Sequence, residues 1–221
     1  MPGSAEHPSA KREFERGEEE FGRVLAFSDG MFAIAMTLLV VGIAVPTLSD
    51  PDSVGELADD LNETGAQVIS FFISFAVIGR YWVAHHQMFS LLRAFDRGMI
   101  GINLLYLAFV AFLPFPTALL GTYFDNPLAV AIYAFVVALI SGFEVLLLRH
   151  AHRHGLLQAP MPESVYRWGR TLSLTPVGLF LISIPIAFAS SILAVAVWVL
   201  NAPIGLVGAR LRPPGTDEYF E

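Results

Sequence analysis

Residues 23–45 read RVLAFSDGMFAIAMTLLVVGIAV, and this stretch decides the fold of the chain. It is long and apolar enough to form one membrane-spanning helix, because crossing the hydrocarbon core takes about 20 mostly apolar residues. Arg23, Ser28 and Asp29 lie in its first two turns, and Thr37 is the one hydroxyl in the apolar run that follows. An ionised carboxylate at the edge of a bilayer is costly without a partner, so such residues usually face the protein interior and serve function. The stretch therefore predicts a spanning helix with a polar entrance.

The composition places the whole chain among integral membrane proteins. Its 221 residues are 55% hydrophobic and 15% charged, with a mean hydropathy of +0.60, which is too apolar for one soluble domain. The chain contains no cysteine, which excludes disulfides, thiol chemistry and cysteine-ligated metals. We expect no cleaved secretory signal, because residues 1–22 are charged and the first apolar run lacks a small-residue cleavage site.

Six segments satisfy the length and polarity of a spanning helix, which predicts an all-α membrane protein with six transmembrane helices. These segments are residues 24–45, 66–85, 99–120, 127–148, 169–188 and 190–209. We divide the chain into a disordered cytoplasmic tail over residues 1–22, a six-helix transmembrane domain over 23–210 and a cytoplasmic tail over 211–221.

The distribution of positive charge predicts the orientation in the membrane. All 13 lysine and arginine residues lie in the two tails, in the second and fourth connections, or at the helix ends beside them. Positively charged connections stay on the cytoplasmic side, so both termini are predicted to be cytoplasmic. The acidic first connection, residues 46–65, is then an outer solvated loop, which in a symmetric oligomer would concentrate cations near an outer mouth.

The first helix presents two different faces at about 100° per residue. One face carries Phe27, Gly30, Ile34, Thr37, Leu38, Val41 and Val45. Asp29 lies well round from that face, so its carboxylate is expected to point into the surrounding helices. If the first face lines a pore, the lining is apolar apart from one threonine, and no ring of carboxylates selects the ion. Ordinary helix packing explains the same pattern, and the sequence leaves both interpretations open.

Asp29 is expected to meet hydrogen-bond donors at the cytoplasmic end of the second helix. Trp82 is followed by His85 and His86 at i+3 and i+4, so the three rings share a face, and both ring types can donate to a carboxylate. Asn103 lies at the same level in the third helix. The group is a structural clamp or, alternatively, a gate or proton sensor based on histidine. No nucleophile accompanies it, so an enzyme is not expected.

Two further groups of polar residues have plain structural explanations. Glu144 lies inside the fourth segment and is expected to pair with Arg149, little more than one turn away. Residues 150–154 contain three alternating histidines, but the interleaved Arg153 favours a solvated basic loop over a metal site. We therefore expect no resident metal and no cofactor.

At these residues the chain resembles the transmembrane protein 175 family, which comprises an endolysosomal potassium channel and its bacterial homologues. The first-helix residues that carry the resemblance are Arg23, Phe27, Ser28, Asp29, Gly30, Phe32, Ala33, Ile34, Ala35, Thr37, Leu38 and Leu39. The later residues similar to the family are Trp82, His85, His86, Asn103, Leu104, Pro114 and Phe115. The length and the helix count match a bacterial member with a single repeat, so the resemblance covers almost the whole chain.

The resemblance implies a passive, potassium-preferring cation channel in the cell membrane, built as a homotetramer with one pore lined by the first helices. Its partners would be potassium ions and the lipid bilayer, with no nucleic acid. Ile34, Leu38 and Val41 would form a hydrophobic constriction, and Thr37 would add a layer of hydroxyls. A structural polar network would hold the first helix, formed by Arg23, Ser28, Asp29, Trp82, His85 or His86, and Asn103.

A proton-coupled transporter is the alternative function, with Asp29, His85 and Glu144 relaying protons. Carriers often contain internal repeats and broken helices near the membrane midplane. The chain has no clear repeat, and the middle of its first helix is apolar. These features favour the channel.

Overall fold

The computed structural model describes residues 14–220, which are almost entirely helical. Its helices are α1 (Glu19–Leu38), α2 (Val54–Glu63), α3 (Gly65–Ser90), α4 (Arg97–Phe112), α5 (Pro114–Thr122), α6 (Pro127–Arg153), α7 (Glu163–Ala187), α8 (Ser191–Val199), α9 (Asn201–Arg210) and α10 (Asp217–Phe220). A short 3-10 helix, Leu39–Gly42, extends α1, and two-residue strands β1 (Phe14–Glu15) and β2 (Ala94–Phe95) pair antiparallel.

Six helical units in the described part of the chain are long and apolar enough to cross a membrane, which confirms the six predicted spans. Two of the spans are broken, between α4 and α5 and between α8 and α9. Proline has no backbone N–H and clashes with the preceding turn. Pro114 at the start of α5 and Pro203 in the first turn of α9 therefore explain the breaks. Val45, which we expected in the first helix, lies beyond its end.

The centre of the subunit is α6, the most buried of the spans. It packs against α4, α5, α7 and α8, and several of its buried residues are alanines, which allow neighbouring helices to approach closely. The first helix lies at the edge of this bundle. It packs against α3 and α4, so one of its faces is left without a neighbour in the subunit.

Residues 14–22 contain strand β1 and the first residues of α1, inside the tail of residues 1–22 that we expected to be disordered. Strand β1 pairs with β2, and the backbone N–H of Arg16 donates to the carbonyl of Arg93 at 2.6 Å. Phe21 is buried against Phe95, with ring centroids 4.6 Å apart. A two-residue strand that pairs with a distant segment leaves no local pattern in the sequence. Residues 1–13 of the predicted tail lie outside the described residues.

The acidic first connection also contains a helix, α2, where we expected a loop. The Ser53 hydroxyl accepts the backbone N–H of Glu56 at 3.2 Å, which caps the helix. In return, the Glu56 carboxylate accepts the N–H groups of Ser49 at 2.7 Å and Asp50 at 3.0 Å. These backbone hydrogen bonds lower the pKa of Glu56. The helix therefore begins with a closed set of hydrogen bonds around an ionised carboxylate.

Candidate functional site

One face of α1 is buried in the subunit, and the opposite face is uncovered. The buried face consists of Ser28, Phe32, Ala35 and Leu39. Their spacing of three and four residues puts them on one side of the helix. On the other side, the exposed fraction is 54% for Ile34, 45% for Leu38 and 75% for Val41. Packing inside the subunit therefore does not explain these apolar residues, which leaves a pore, a second copy of the chain or lipid as their environment.

Thr37 is the polar residue of this uncovered face. Its hydroxyl donates to the backbone carbonyl of Ile34 at 2.8 Å. A hydroxyl has one proton and two acceptor lone pairs, so this bond uses the proton and leaves the oxygen able to face a cation. The face therefore combines apolar side chains with one oriented oxygen.

The C-terminal end of α1 is fixed by neighbouring helices. Val41 lies on the 3-10 helix, which is wound more tightly than an α-helix. A Cβ atom added at Gly42 would lie 3.0 Å from Cβ of Ala118, so glycine allows α5 to pack closely here. Just beyond, the Ala44 N–H donates to the Gln67 side-chain oxygen at 2.8 Å. The position of Val41 is thus set by both α3 and α5.

A buried chain of hydrogen bonds contacts the N-terminal half of α1, on the side opposite the uncovered face. We predicted that this half of the helix lies toward the cytoplasm. Asn103 donates from Nδ2 to the Ser28 hydroxyl at 3.0 Å, and its Oδ1 lies 2.9 Å from Nε2 of His85. Ser28 in turn donates to the carbonyl of Val24 at 2.9 Å. Because the amide oxygen only accepts, His85 carries a proton on Nε2. The chain links α1, α3 and α4, and it includes His85 rather than His86.

Aromatic rings enclose His85, a feature that we did not predict from the sequence. The imidazole stacks on Phe89 at 3.8 Å and on Tyr106 at 5.4 Å, and Phe32 meets it edge-on at 5.4 Å. Two of these contacts could have been found from helical spacing. Phe89 follows His85 by four residues on α3, and Tyr106 follows Asn103, the hydrogen-bond partner of His85, by three residues on α4. This packing separates His85 from solvent and favours the structural clamp over the proton sensor.

Asp29 accepts a hydrogen bond from Trp82 Nε1 at 2.9 Å, beside the buried chain. Asp29 thus reaches a neighbouring helix, as we expected, but the residue is exposed at the flank of the uncovered face rather than enclosed by the bundle. His86 contacts the Trp82 ring at 5.6 Å, and Arg23 is exposed. Within residues 14–220, neither His86 nor Arg23 forms a hydrogen bond with Asp29, with Trp82 or with the buried chain. The residues that we predicted to form one network therefore form two groups. One is the buried chain of Ser28, Asn103 and His85, and the other is the exposed Asp29–Trp82 pair.

Glu144 does not pair with Arg149 as we predicted. Five residues along an α-helix correspond to a rotation of about 140°, so the two side chains leave α6 in different directions. Glu144 instead accepts a long hydrogen bond of 3.5 Å from Ser173 on α7. It also lines, with Arg80, a cavity of about 250 Å³ between α3, α6 and α7.

The residues proposed to relay protons do not form a connected path. Asp29, His85 and Glu144 bond to three different partners on three different helices. No hydrogen bond in residues 14–220 joins any two of them.

The three histidines also lie on a helix rather than in a loop. His150 and His152 are in the last turn of α6, and His154 caps it. Nε2 of His150 lies 2.8 Å from Oδ1 of Asp96, whose carboxylate also accepts the Met99 N–H at 2.6 Å. Burial raises the pKa of Asp96, but the hydrogen bonds from Met99 and His150 outweigh it and hold the pKa below its ordinary value. An ionised carboxylate thus joins the start of α4 to the end of α6.

Known proteins are similar to this chain in both sequence and structure. The sequence profile of the family described as "Endosomal/lysosomal potassium channel TMEM175" matches residues 23–114. A potassium channel of Streptomyces collinus is 43% identical over 132 residues, which are 58% of this chain and 63% of that protein. A potassium channel of Chamaesiphon minutus is 37% identical over 191 residues, which are 81% of this chain and 90% of that protein. The match thus spans less than two thirds of the first relative and most of the second.

The fold has a solved counterpart as well. The crystal structure of a lysosomal potassium-selective channel TMEM175 homolog from Chamaesiphon minutus has a TM-score of 0.69 and 36% sequence identity, and the match covers 86% of this chain and 99% of that one. The profile match over residues 23–114 includes the uncovered face of α1, the buried hydrogen-bond chain and the Asp29–Trp82 pair.

Proposed function

This chain belongs to the TMEM175 family, and on that premise we propose that it is a passive, potassium-preferring cation channel of the cell membrane. Four copies form a homotetramer in which the four α1 helices surround one central pore. The observation that carries this proposal is the uncovered face of α1 with Ile34, Leu38 and Val41. A single subunit does not enclose a pathway, so this face requires partner copies to become a conduit.

The pore-lining residues form a short apolar neck. From Ile34 to Leu38 the α-helix rises about 6 Å, at about 1.5 Å per residue. The 3-10 helix that leads to Val41 adds about 6 Å more, at about 2.0 Å per residue. In the tetramer, Ile34, Leu38 and Val41 supply the hydrophobic constriction, which closes by excluding water. Thr37 supplies four hydroxyl oxygens at the same level. Their lone pairs replace part of the water shell that the ion loses, which gives the pore its preference for potassium.

The buried hydrogen-bond chain sets the rotation of α1 in this arrangement. His85 on α3 and Asn103 on α4 reach the same residue of α1, Ser28, which faces directly away from the pore face. The Asp29–Trp82 pair adds a second tie to α3 at the flank of that face, where the next subunit packs. These groups have structural roles and do not contact the ion.

The channel has both termini in the cytoplasm, with residues 1–22 and 211–221 as cytoplasmic tails and residues 23–210 as the channel domain. The charge pattern of the connections supports this orientation. The acidic α2 region then lies near the outer mouth, where its negative field concentrates cations.

The competing functions receive less support. A proton-coupled transporter needs a relay, and Asp29, His85 and Glu144 hold separate partners. An enzyme is likewise not favoured, since the relatives are channels by name.

Uptake of radioactive rubidium, a potassium congener, into liposomes that contain the purified protein tests the proposal. With internal potassium in excess, rubidium uptake should exceed sodium uptake, collapse when external potassium is raised to the internal concentration, and persist with a protonophore present. Uptake that depends on a proton gradient would indicate the transporter. A monomer by light scattering in detergent and by cross-linking in liposomes would exclude the central pore.

A further inference from the structure

A cluster of three metal-ligating side chains lies where α4 begins and α6 ends, away from the pore face. One ring nitrogen of His150, one of His154 and one carboxylate oxygen of Asp96 all lie within 4.8 Å of one another. Two imidazoles and a carboxylate are ligands that suit Zn²⁺, and three protein ligands with one water complete a tetrahedral site. The sequence did not reveal this group, because Asp96 is 54 residues from His150.

Asp96 and His150 are already oriented toward each other. The Asp96 carboxylate is held by the Met99 N–H at 2.6 Å, and its two oxygens lie 2.8 Å and 3.0 Å from Nε2 of His150. A Cβ atom added at Gly98 would lie 2.6 Å from Cε1 of His150. Glycine at that position therefore allows the imidazole to reach the carboxylate.

The third ligand is oriented by its own helix. Nδ1 of His154 lies 3.0 Å from the backbone carbonyl of His150, and because a carbonyl only accepts, this nitrogen carries the proton. Nε2 of His154 is then unprotonated and able to bind a metal. Metal-binding histidines commonly use their other ring nitrogen in this way. The i, i+4 spacing of the two histidines also matches helices that bind zinc.

An ion can enter after a small opening of the His150–Asp96 pair and a rotation of the His154 ring. Ligand atoms around a tetrahedral zinc are about 3.3 Å apart, from bond lengths of about 2.0–2.1 Å. The ion therefore displaces to solvent the proton that Nε2 of His150 donates to Asp96, and the 2.8 Å separation of these atoms opens by a few tenths of an ångström. The His154 ring is stacked on the His150 ring, with centroids 4.0 Å apart, so it must rotate out of this stack to direct Nε2 at the ion. Its exposed position at the end of the helix permits that rotation. Arg153 is exposed too, so water and salt screen its charge from the site.

We propose that Asp96, His150 and His154 bind one Zn²⁺ ion per subunit and that the bound ion clamps the start of α4 to the end of α6. The carboxylate and the C-terminal end of the α6 dipole both favour a cation here. Strand β2 ends immediately before Asp96 and pairs with β1, which precedes α1. The clamp thus braces the segment from which the first helix starts.

Isothermal titration of the untagged, chelator-treated full chain with Zn²⁺ in detergent tests this site. The wild-type chain should bind one ion per subunit, and Co²⁺ in its place should give the absorption bands of a tetrahedral complex. His154→Ala should weaken binding about tenfold or more. Zn²⁺ should also raise the thermal unfolding temperature of the wild type but not of this variant.

His152→Ala is the matched control on the same turn of α6. Its ring stacks on Tyr166 at 4.0 Å and lies 3.7 Å from Glu163, so it faces another neighbour. This variant should bind Zn²⁺ as the wild type does. Absence of saturable binding by the wild type, wild-type affinity in His154→Ala, or equal weakening in His152→Ala would each overturn the proposal. Because none of these measurements requires ion flux, their outcome is independent of the proposed channel function.

Discussion

Replacing Asn103 with leucine should destabilise the subunit by removing the link between α1, α3 and α4. The substitution breaks two hydrogen bonds, to Ser28 at 3.0 Å and to His85 at 2.9 Å. Hydrogen bonds inside membrane proteins contribute about 0.6 kcal/mol each on average. A buried donor left without a partner, here Nε2–H of His85, costs about 1–3 kcal/mol more. Ser28 loses little, because its own proton still goes to Val24.

The expected loss for Asn103→Leu is therefore about 2–4 kcal/mol. For a chain of this length, that corresponds to a fall of about 4–16 °C in the unfolding temperature, at roughly 2–4 °C per kcal/mol. Thermal unfolding in detergent, followed by circular dichroism, measures it. Asn62→Ala on the exposed side of α2 is the control and should change stability by less than about 0.5 kcal/mol.

A double variant separates the hydrogen bonds from simple packing. His85→Phe keeps an aromatic ring between Phe89 and Tyr106 while it removes the buried N–H donor. Replacing both partners of a hydrogen bond by apolar groups costs less than replacing one. The double variant with Asn103→Leu should thus be more stable than Asn103→Leu alone. If it is less stable than that single variant, the hydrogen-bond chain does not hold α1 as we infer.

Three further predictions concern α1. Leu38→Ala should raise sodium leak through reconstituted liposomes by widening the neck, whereas Leu193→Ala, an exposed leucine of α8, should not; equal leak in both would place Leu38 against lipid. Thr37→Val should reduce the preference for potassium over sodium in competitive flux while conduction persists, because it removes only the hydroxyl, and an unchanged preference would exclude a role in selection. Asp29→Asn weakens the charge-assisted bond to Trp82, so it should reduce the tetramer fraction after cross-linking more than it changes ion preference; the reverse pattern would assign Asp29 to the pathway.

The sequence predicted those features that depend on local periodicity. Hydropathy alone located six spans, and the helical period placed Ile34, Leu38 and Val41 opposite the buried residues of α1. Trp82 was found as a donor to Asp29 because its spacing and depth match those of the polar residues on α1, whereas His85, expected at the same carboxylate, bonds to Asn103. Each of these inferences requires only the geometry of one helix and the thickness of a bilayer.

Features that depend on the approach of distant segments could not be predicted in the same way. The pairing of β1 with β2 and the contact of Asp96 with His150 join segments far apart in the chain. The prediction of a Glu144–Arg149 pair was wrong for a different reason. It relied on the closeness of the two residues in sequence and neglected the angle of about 140° between their side chains. Asp29 was placed correctly beside Trp82, but its exposure depends on where α1 sits in the bundle.

The two faces of α1 each carry a hydroxyl group with the same hydrogen-bonding geometry. Ser28 and Thr37 each donate their hydroxyl proton to a carbonyl of their own helix, at 2.9 Å and 2.8 Å. Each oxygen therefore presents lone pairs outward. On the buried face, Asn103 supplies a donor to Ser28 and the result is a clamp. On the uncovered face, no donor within residues 14–220 reaches the Thr37 oxygen, and in a tetramer it faces the axis. A cation that has lost part of its water shell is the partner that such an oxygen can accept, so in the proposed channel the same hydroxyl geometry anchors the helix on one side and meets the ion on the other.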